Sequence, residues 1–226
     1  MSDAPPAATK LWDLPTRITH WALVVLILVS WLTGGEQMEI HRLSGYGVIG
    51  LLVFRLYWGF FGSESARFTH FVKGPGATIG YLKTMGQRTA GDLVGHSPVG
   101  AVSVVLLLLV MLLQVSLGLF ASDIDGIESG PLSHLVDFDT SRLASDWHEL
   151  TFRVLQALVV LHIAAIAFYG LWKRQNLITA MITGKRVFSG PPPSLKFAPL
   201  WSFAVGVVIA VAVAWLLARG LKLPKF

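Results

Sequence analysis

Cysteine is absent from all 226 residues. That excludes disulfides, cysteine-ligated iron–sulfur clusters and cofactors tethered through Cys-x-x-Cys-His. Charge is scarce too: 14% of the residues are charged against 54% apolar, and a soluble core of this size does not need such long uncharged runs. There is no basic stripe of the kind that binds nucleic acid. The net charge of +5 comes from Lys and Arg flanking apolar spans, which is a topology signal. No internal repeat of a transporter kind is present. The N-terminus, "MSDAPPAATKLWDLPTRITHW", lacks a small-residue cleavage site after its apolar run, and that run is too long for a cleavable signal. What the chain has in quantity is Gly, 22 residues, and Trp, 8 residues, as expected of helices that pack closely in lipid and anchor at its surfaces.

Five apolar spans are predicted, each near the ~20 residues that a bilayer requires. They are 14–33, closed by "TGG", 41–61, 98–121 with Pro98 in a first turn, 147–172, and 199–218 after a basic linker ending in "GPPPS". Residues 1–13 read as a polar cytoplasmic tail, 62–97 as a Gly-rich loop with a short surface helix at 77–85, and 122–146 as an acidic irregular stretch. The domain organisation is therefore a tail (1–13), a transmembrane domain (14–186), and a linker with an additional C-terminal helix (187–226). Lys10, Arg17, Arg67, Lys73, Lys83, Arg88, Lys173, Arg174, Lys185, Arg186 and Lys196 fall on the N-terminal side. The opposite loops carry Glu36, Glu39, Asp123, Asp125, Glu128, Asp137, Asp139 and Asp146, with only Arg42 and Arg142 as bases. The excess of bases puts the N-terminus in the cytoplasm, although "RGLKLPKF" at the C-terminus runs against the rule.

Four of the seven histidines belong to spans: His20, His41, His148 and His162. His148 and His162 share a helix, fourteen residues apart; at ~100° and ~1.5 Å per residue they face nearly one direction about 21 Å apart in depth. His20 lies at the inner depth and His41 at the outer, so topology pairs His20 with His162 and His41 with His148. Imidazole pairs facing across a bundle suit six-coordinate haem iron, which leaves two axial sites for nitrogen ligands. Zinc would gather three or four ligands at one depth. His162, within "VVLHIAAIAF", needs a partner in hydrocarbon. His70, His96 and His134 lie in loops and read as hydrogen-bonded or solvated residues.

Arg55 stands fourteen residues after His41, hence on the same face at the depth of the inner pair. A buried guanidinium there suits a haem propionate. Arg17, three residues before His20, is a second candidate for that role. Gly45, one turn after His41, with Gly47 and Gly50, would make room for a flat ring, and close helix packing explains all three equally well.

Taken in order, "WDLPTRITHW", "HRLSGYGVIGLLVFRLYWGFFG", "GHSPVGAVSVVLLLLVMLLQVSLGLF" and "WHELTFRVLQALVVLHIAAIAFY" resemble the bacterial cytochrome b561 / nickel-hydrogenase b-type cytochrome family. The resemblance spans about residues 11–186. It implies a four-helix membrane cytochrome with two non-covalent b-type haems that exchanges electrons with quinones and a redox partner. The family's ligand in the first span falls on His20, that in the second on His41, and those in the fourth on His148 and His162. The fifth span lies beyond this core.

The expected protein is an all-α integral membrane protein, with a four-helix haem-binding transmembrane bundle plus a fifth C-terminal helix. It would move electrons across the membrane between a quinone/quinol pool and a periplasmic cytochrome c or redox enzyme subunit. The acidic stretch from Asp123 to Asp146 suits such a partner. An electron-transferring anchor of a hydrogenase-like complex, a stand-alone quinol oxidase and, more remotely, a histidine-dependent transporter are the alternatives, and the sequence is compatible with a homodimer.

Overall fold

Two features of the sequence set where each helix begins. Aspartate or serine side chains accept from backbone N–H groups that have no partner within the helix, and prolines sit where an N–H is dispensable. Asp13 Oδ1 accepts from Thr16 N at 2.8 Å and starts α1 (Leu14–Thr33). Helix α2 (Met38–Phe61) follows a short turn and opens three residues before the predicted span. After the one-turn α3 (Phe68–Phe71) and the surface helix α4 (Pro75–Thr84), Ser97 caps α5 (Pro98–Phe120). Asp137 caps α6 (Phe138–Leu171), and α7 (Leu177–Thr183) and α8 (Leu200–Ala218) complete the chain. The computed structural model describes residues 8–88, 94–188 and 190–222. Residues 1–7 of the N-terminal tail and 223–226 at the C-terminus lie outside the described residues. Helices α1, α2, α5, α6 and α8 are long and apolar enough to cross a membrane.

The stretch 122–146 is only partly irregular, because its last nine residues are the first turns of α6. The acidic residues that suggested a loop instead cap and solvate a helix end: Asp137 receives Thr140 N and Thr140 Oγ1, both at 2.8 Å. At 34 residues α6 is about 51 Å long and projects beyond a ~30 Å hydrocarbon core.

Close backbone approach holds the bundle together, since lipid offers no hydrophobic drive for helices to associate. A Cβ on Gly47 would stand 2.7 Å from Leu26, which locks α1 against α2. Gly50 faces Ala214, and a Cβ on Gly206 would stand 2.7 Å from Tyr57, which seats α8 on the back of α2. Helix α5 packs along α6. Leu23, Val48, Leu52, Leu108, Met111 and Leu155 form the central core between the α1/α2 and α5/α6 pairs. Helix α8 begins beside the end of α2, where Ser202 Oγ donates to Phe61 O at 3.0 Å, and ends beside Pro131 and His134. It therefore runs antiparallel to α2 and ends at the face opposite the start of α1.

The segment read as a polar tail is docked from Thr9 onward. Strand β1 (Thr9–Lys10) pairs antiparallel with β2 (Lys185–Arg186), and Leu11 and Trp12 are buried with Ala180 and Phe188. Asp13 joins this inner cap to the bundle: its second oxygen accepts from the buried Trp58 Nε1 at 2.8 Å. Replacing Asp13 by alanine removes the α1 cap and leaves the indole N–H without a partner, so we expect a loss of roughly 2–4 kcal/mol. Asp13→Asn keeps one acceptor for the cap but presents an amide N–H to the Trp58 indole, so it should recover only the capping part of the loss, and thermal unfolding of the detergent-solubilised protein compares the two.

Candidate cofactor sites

The site at the end of the bundle that the charge pattern predicts to be outer is assembled by the facing ends of α1, α2, α5 and α6. His41 Nδ1 lies 2.8 Å from Ser30 O and His148 Nδ1 lies 2.9 Å from Gln114 O. With Nδ1–H donating to a backbone carbonyl, each imidazole keeps its Nε2 lone pair, the arrangement typical of a metal-ligating histidine. His148 Nε2 accepts from the Gln114 side-chain amide at 3.1 Å, and Gln114 Oε1 is held by Thr151 Oγ1. The two ring centres stand 6.1 Å apart with planes at 78°. Two metal–imidazole bonds of ~2 Å, with each ring centre roughly 1 Å behind its coordinating nitrogen, come to about 6 Å.

A cavity of about 640 Å³ opens at this pair, within the ~300–1,000 Å³ usual for small-molecule and cofactor sites. Gly45 lines it, and a Cβ there would meet nothing within 4 Å, so the missing side chain is part of the open space. Gly47 and Gly50, by contrast, are packing residues. Two further glycines went unnoticed in the sequence. A Cβ on Gly118 would stand 2.9 Å from His148 Cε1, and one on Gly34 would stand 3.3 Å from His41 Nδ1. Each lets a backbone lie against an imidazole. Gln114, which orients His148, was also missed; a glutamine inside "MLLQVSLGLF" is a polar residue that needs a partner in hydrocarbon, and that was the available signal. The cavity therefore fits a flat, mainly apolar group held between two imidazoles.

At the inner end, His20 on α1 and His162 on α6 lie within electrostatic reach of each other. His20 Nδ1 is buried without a hydrogen-bond partner, as is Nη1 of Arg55, whose residue is only 8% exposed. The Arg55 guanidinium lies 5.0 Å from the Phe68 ring centre. Arg17 is engaged differently: it donates to Ile182 O and so fastens α1 to α7, with its Nε buried and unpaired. That contact gives Arg17 a structural role.

His96 departs from the sequence reading of a hydrogen-bonded loop residue. Its Nδ1 is buried with no partner, and its ring lies between Trp12 at 4.9 Å and Phe71 at 4.7 Å. Burial first, then the positive charge of Arg55, pushes its pKa down to about 3, so the ring is neutral at physiological pH. His70 faces Glu64 at 3.6 Å, and His134 sits beside Gly220 at the outer face; neither joins a site. Among the described residues no three His, Asp or Glu side chains gather as a single metal cluster.

The sequence profile of a family described as prokaryotic cytochrome b561 matches residues 11–184. The Probable Ni/Fe-hydrogenase B-type cytochrome subunit of Azotobacter chroococcum mcd 1 is 24% identical over 221 residues, covering 82% of this chain and 91% of its own. The protein of the same name from Rhizobium leguminosarum bv. viciae is 25% identical over 212 residues, with coverage of 79% and 88%. The Probable Ni/Fe-hydrogenase 1 B-type cytochrome subunit of Escherichia coli (strain K12) is 21% identical over 211 residues, with coverage of 78% and 89%. No solved structure matches the chain.

Proposed function

Given that this chain belongs to the prokaryotic cytochrome b561 family, membrane b-type cytochromes of electron transfer, we propose that it holds two non-covalent haems and carries electrons between a quinone pool and a redox enzyme subunit at the outer face of the bacterial inner membrane. The observation that carries this reading is the 6.1 Å separation of the His41 and His148 rings across a cavity of cofactor size. His41 and His148 would supply the axial nitrogens of the outer haem, and His20 and His162 those of the inner. A haem bound between two histidines supplies a one-electron iron couple with no open coordination site, suited to electron transfer rather than to binding or activating oxygen.

The chain's own residues supply position and tuning. Ser30 O and Gln114 O fix the tautomer and direction of the outer imidazoles. Gly45 and Gly118 make the space. His148 and His162, about 21 Å apart along α6, set the two centres near opposite faces of the ~30 Å core. Arg55 stands ready to offset a propionate charge at the inner site. The basic inner loops support a cytoplasmic N-terminus, and the acidic outer segment suits a docking partner.

The test is the haem content and reduced-minus-oxidised spectrum of the purified chain. Two extractable haems per chain are expected, and a colourless protein expressed with ample porphyrin would refute the proposal. The relatives' names favour one refinement, in which the chain is the membrane subunit of a hydrogenase-like complex rather than a free-standing quinol oxidase. Co-purification with an outer-face enzyme subunit is then expected. Quinol turnover by the isolated chain with a soluble acceptor would speak for the stand-alone enzyme.

A further inference from the structure

Buried polar atoms without partners are rare in folded proteins, and each costs about 1–3 kcal/mol. Two of those in this chain lie at the inner end of the bundle on different elements, Arg55 Nη1 on α2 and His96 Nδ1 in the loop that enters α5, and a run of ring contacts joins them: Phe68 is 5.0 Å from the Arg55 guanidinium and 5.7 Å from Phe71, which is 4.7 Å from His96. Neither group is free to turn away. Trp12 and Phe71 flank the His96 ring. The next residue, Ser97, is pinned by Gly100 N at 3.1 Å and Tyr169 OH at 2.9 Å. Phe68 lies against the Arg55 guanidinium.

The chain does not supply the missing acceptor. Among the described residues Arg55 makes no ion pair, and both oxygens of nearby Asp13 are committed to Thr16 N and Trp58 Nε1. A buried guanidinium calls for a negative partner, and a neutral imidazole beside it offers one further N–H. The first turn of α5, immediately after His96, adds the positive end of a helix dipole. A quinone carbonyl would accept from His96 but would leave Asp13, whose two oxygens already accept from Thr16 N and Trp58 Nε1, as the one carboxylate acting on Arg55.

We propose that Arg55 and His96 together form a carboxylate clamp for one propionate of the inner haem. The ligand's identity rests on the di-haem reading above; the two unmet donors do not. Donors that offset the propionate charge disfavour the ferric state, which carries the extra positive charge. Losing them should therefore lower the inner haem's midpoint potential.

The test is an optical redox titration of the full-length chain, following each haem, with haem content measured on the same samples. His96→Phe keeps an aromatic ring between Trp12 and Phe71 but has no donor, whereas His96→Gln retains an N–H. Arg55→Leu and His96→Phe should each shift the inner haem's equilibrium toward ferric by roughly tenfold, about 59 mV for one electron. The outer haem should stay in place. His96→Gln should recover most of the shift, and the double variant should lose less than the sum because both donors share one carboxylate. After reconstitution with haem dimethyl ester, the unmodified chain and His96→Phe should titrate alike. An unchanged potential in His96→Phe, a His96→Phe shift that survives esterification, or one that appears only with added quinone would each overturn the clamp. A count below two haems in the unmodified chain would overturn both readings, whereas two haems with insensitive potentials would overturn the clamp alone.

Discussion

Replacing His148 by alanine should leave a chain with one haem, and replacing His162 should do the same at the other site. On the proposed assignment each substitution removes one of two axial nitrogens, and a hydrophobic pocket without its ligand would hold a porphyrin far less tightly. The two variants differ in what remains. His148→Ala also frees the Gln114 carbonyl and side-chain amide that now engage the ring, so the outer ends of α5 and α6 should loosen while the inner end stays intact. His162→Ala makes its change at the inner depth, among His20, Arg55 and His96, and should leave the outer cavity and its haem undisturbed. In each case the reduced-minus-oxidised absorbance should fall to about half and the redox titration should pass from two components to one. Two haems retained in either variant would remove the ligand assignment for that histidine. His41→Ala should match the His148 variant, because the two face each other across the same cavity.

Filling that cavity from the side should have nearly as large an effect without touching a ligand. A leucine at Gly45 meets open space at its Cβ and extends into the volume a macrocycle would need. The expected result is a chain that folds and inserts normally, keeps the inner haem and loses the outer one. Gly47→Leu, two residues along the same helix, is the control. There the new side chain runs into Leu26 at the α1–α2 contact, and overpacking of this kind costs about 1–3 kcal/mol wherever the cofactors sit. Gly45→Leu should therefore change the haem count with little effect on the unfolding temperature of the haem-free protein. Gly47→Leu should lower that temperature and affect both haems alike. If Gly45→Leu retains a full outer haem with an unaltered spectrum, the cavity at His41 and His148 is not the outer haem's seat.

Sequence periodicity was a good guide to the parts of the molecule that lipid dictates. A bilayer demands long uncharged helices with every backbone group paired internally, so the five spans are legible from composition alone, and all five are present as helices. The fourteen-residue interval between His148 and His162 is likewise a property of one helix and needs no partner to be read. The family resemblance, carried by motifs along the first four spans, is also written in the chain. Charge misled at one place: the acid-rich stretch before Trp147 reads as loop, yet Asp137 and Asp139 stand at the start of a helix, where acidic groups suit the dipole and the missing backbone acceptors.

Which helix faces which was decided only by packing. A sequence offers no means of knowing that Gly118 lies against His148, that Arg17 reaches the Ile182 carbonyl, or that Leu11 and Trp12 fold back beneath α7. These contacts join residues tens to more than a hundred and fifty positions apart, and local pattern carries no information at that range. His96 is the clearest case. By sequence it is one loop histidine among three; in the folded chain Trp12, Phe71 and Arg55, from three other segments, surround it and leave its Nδ1 without an acceptor. Hydropathy and helical period belong to the chain as written, whereas an unmet hydrogen bond belongs to an environment that only the assembled bundle creates.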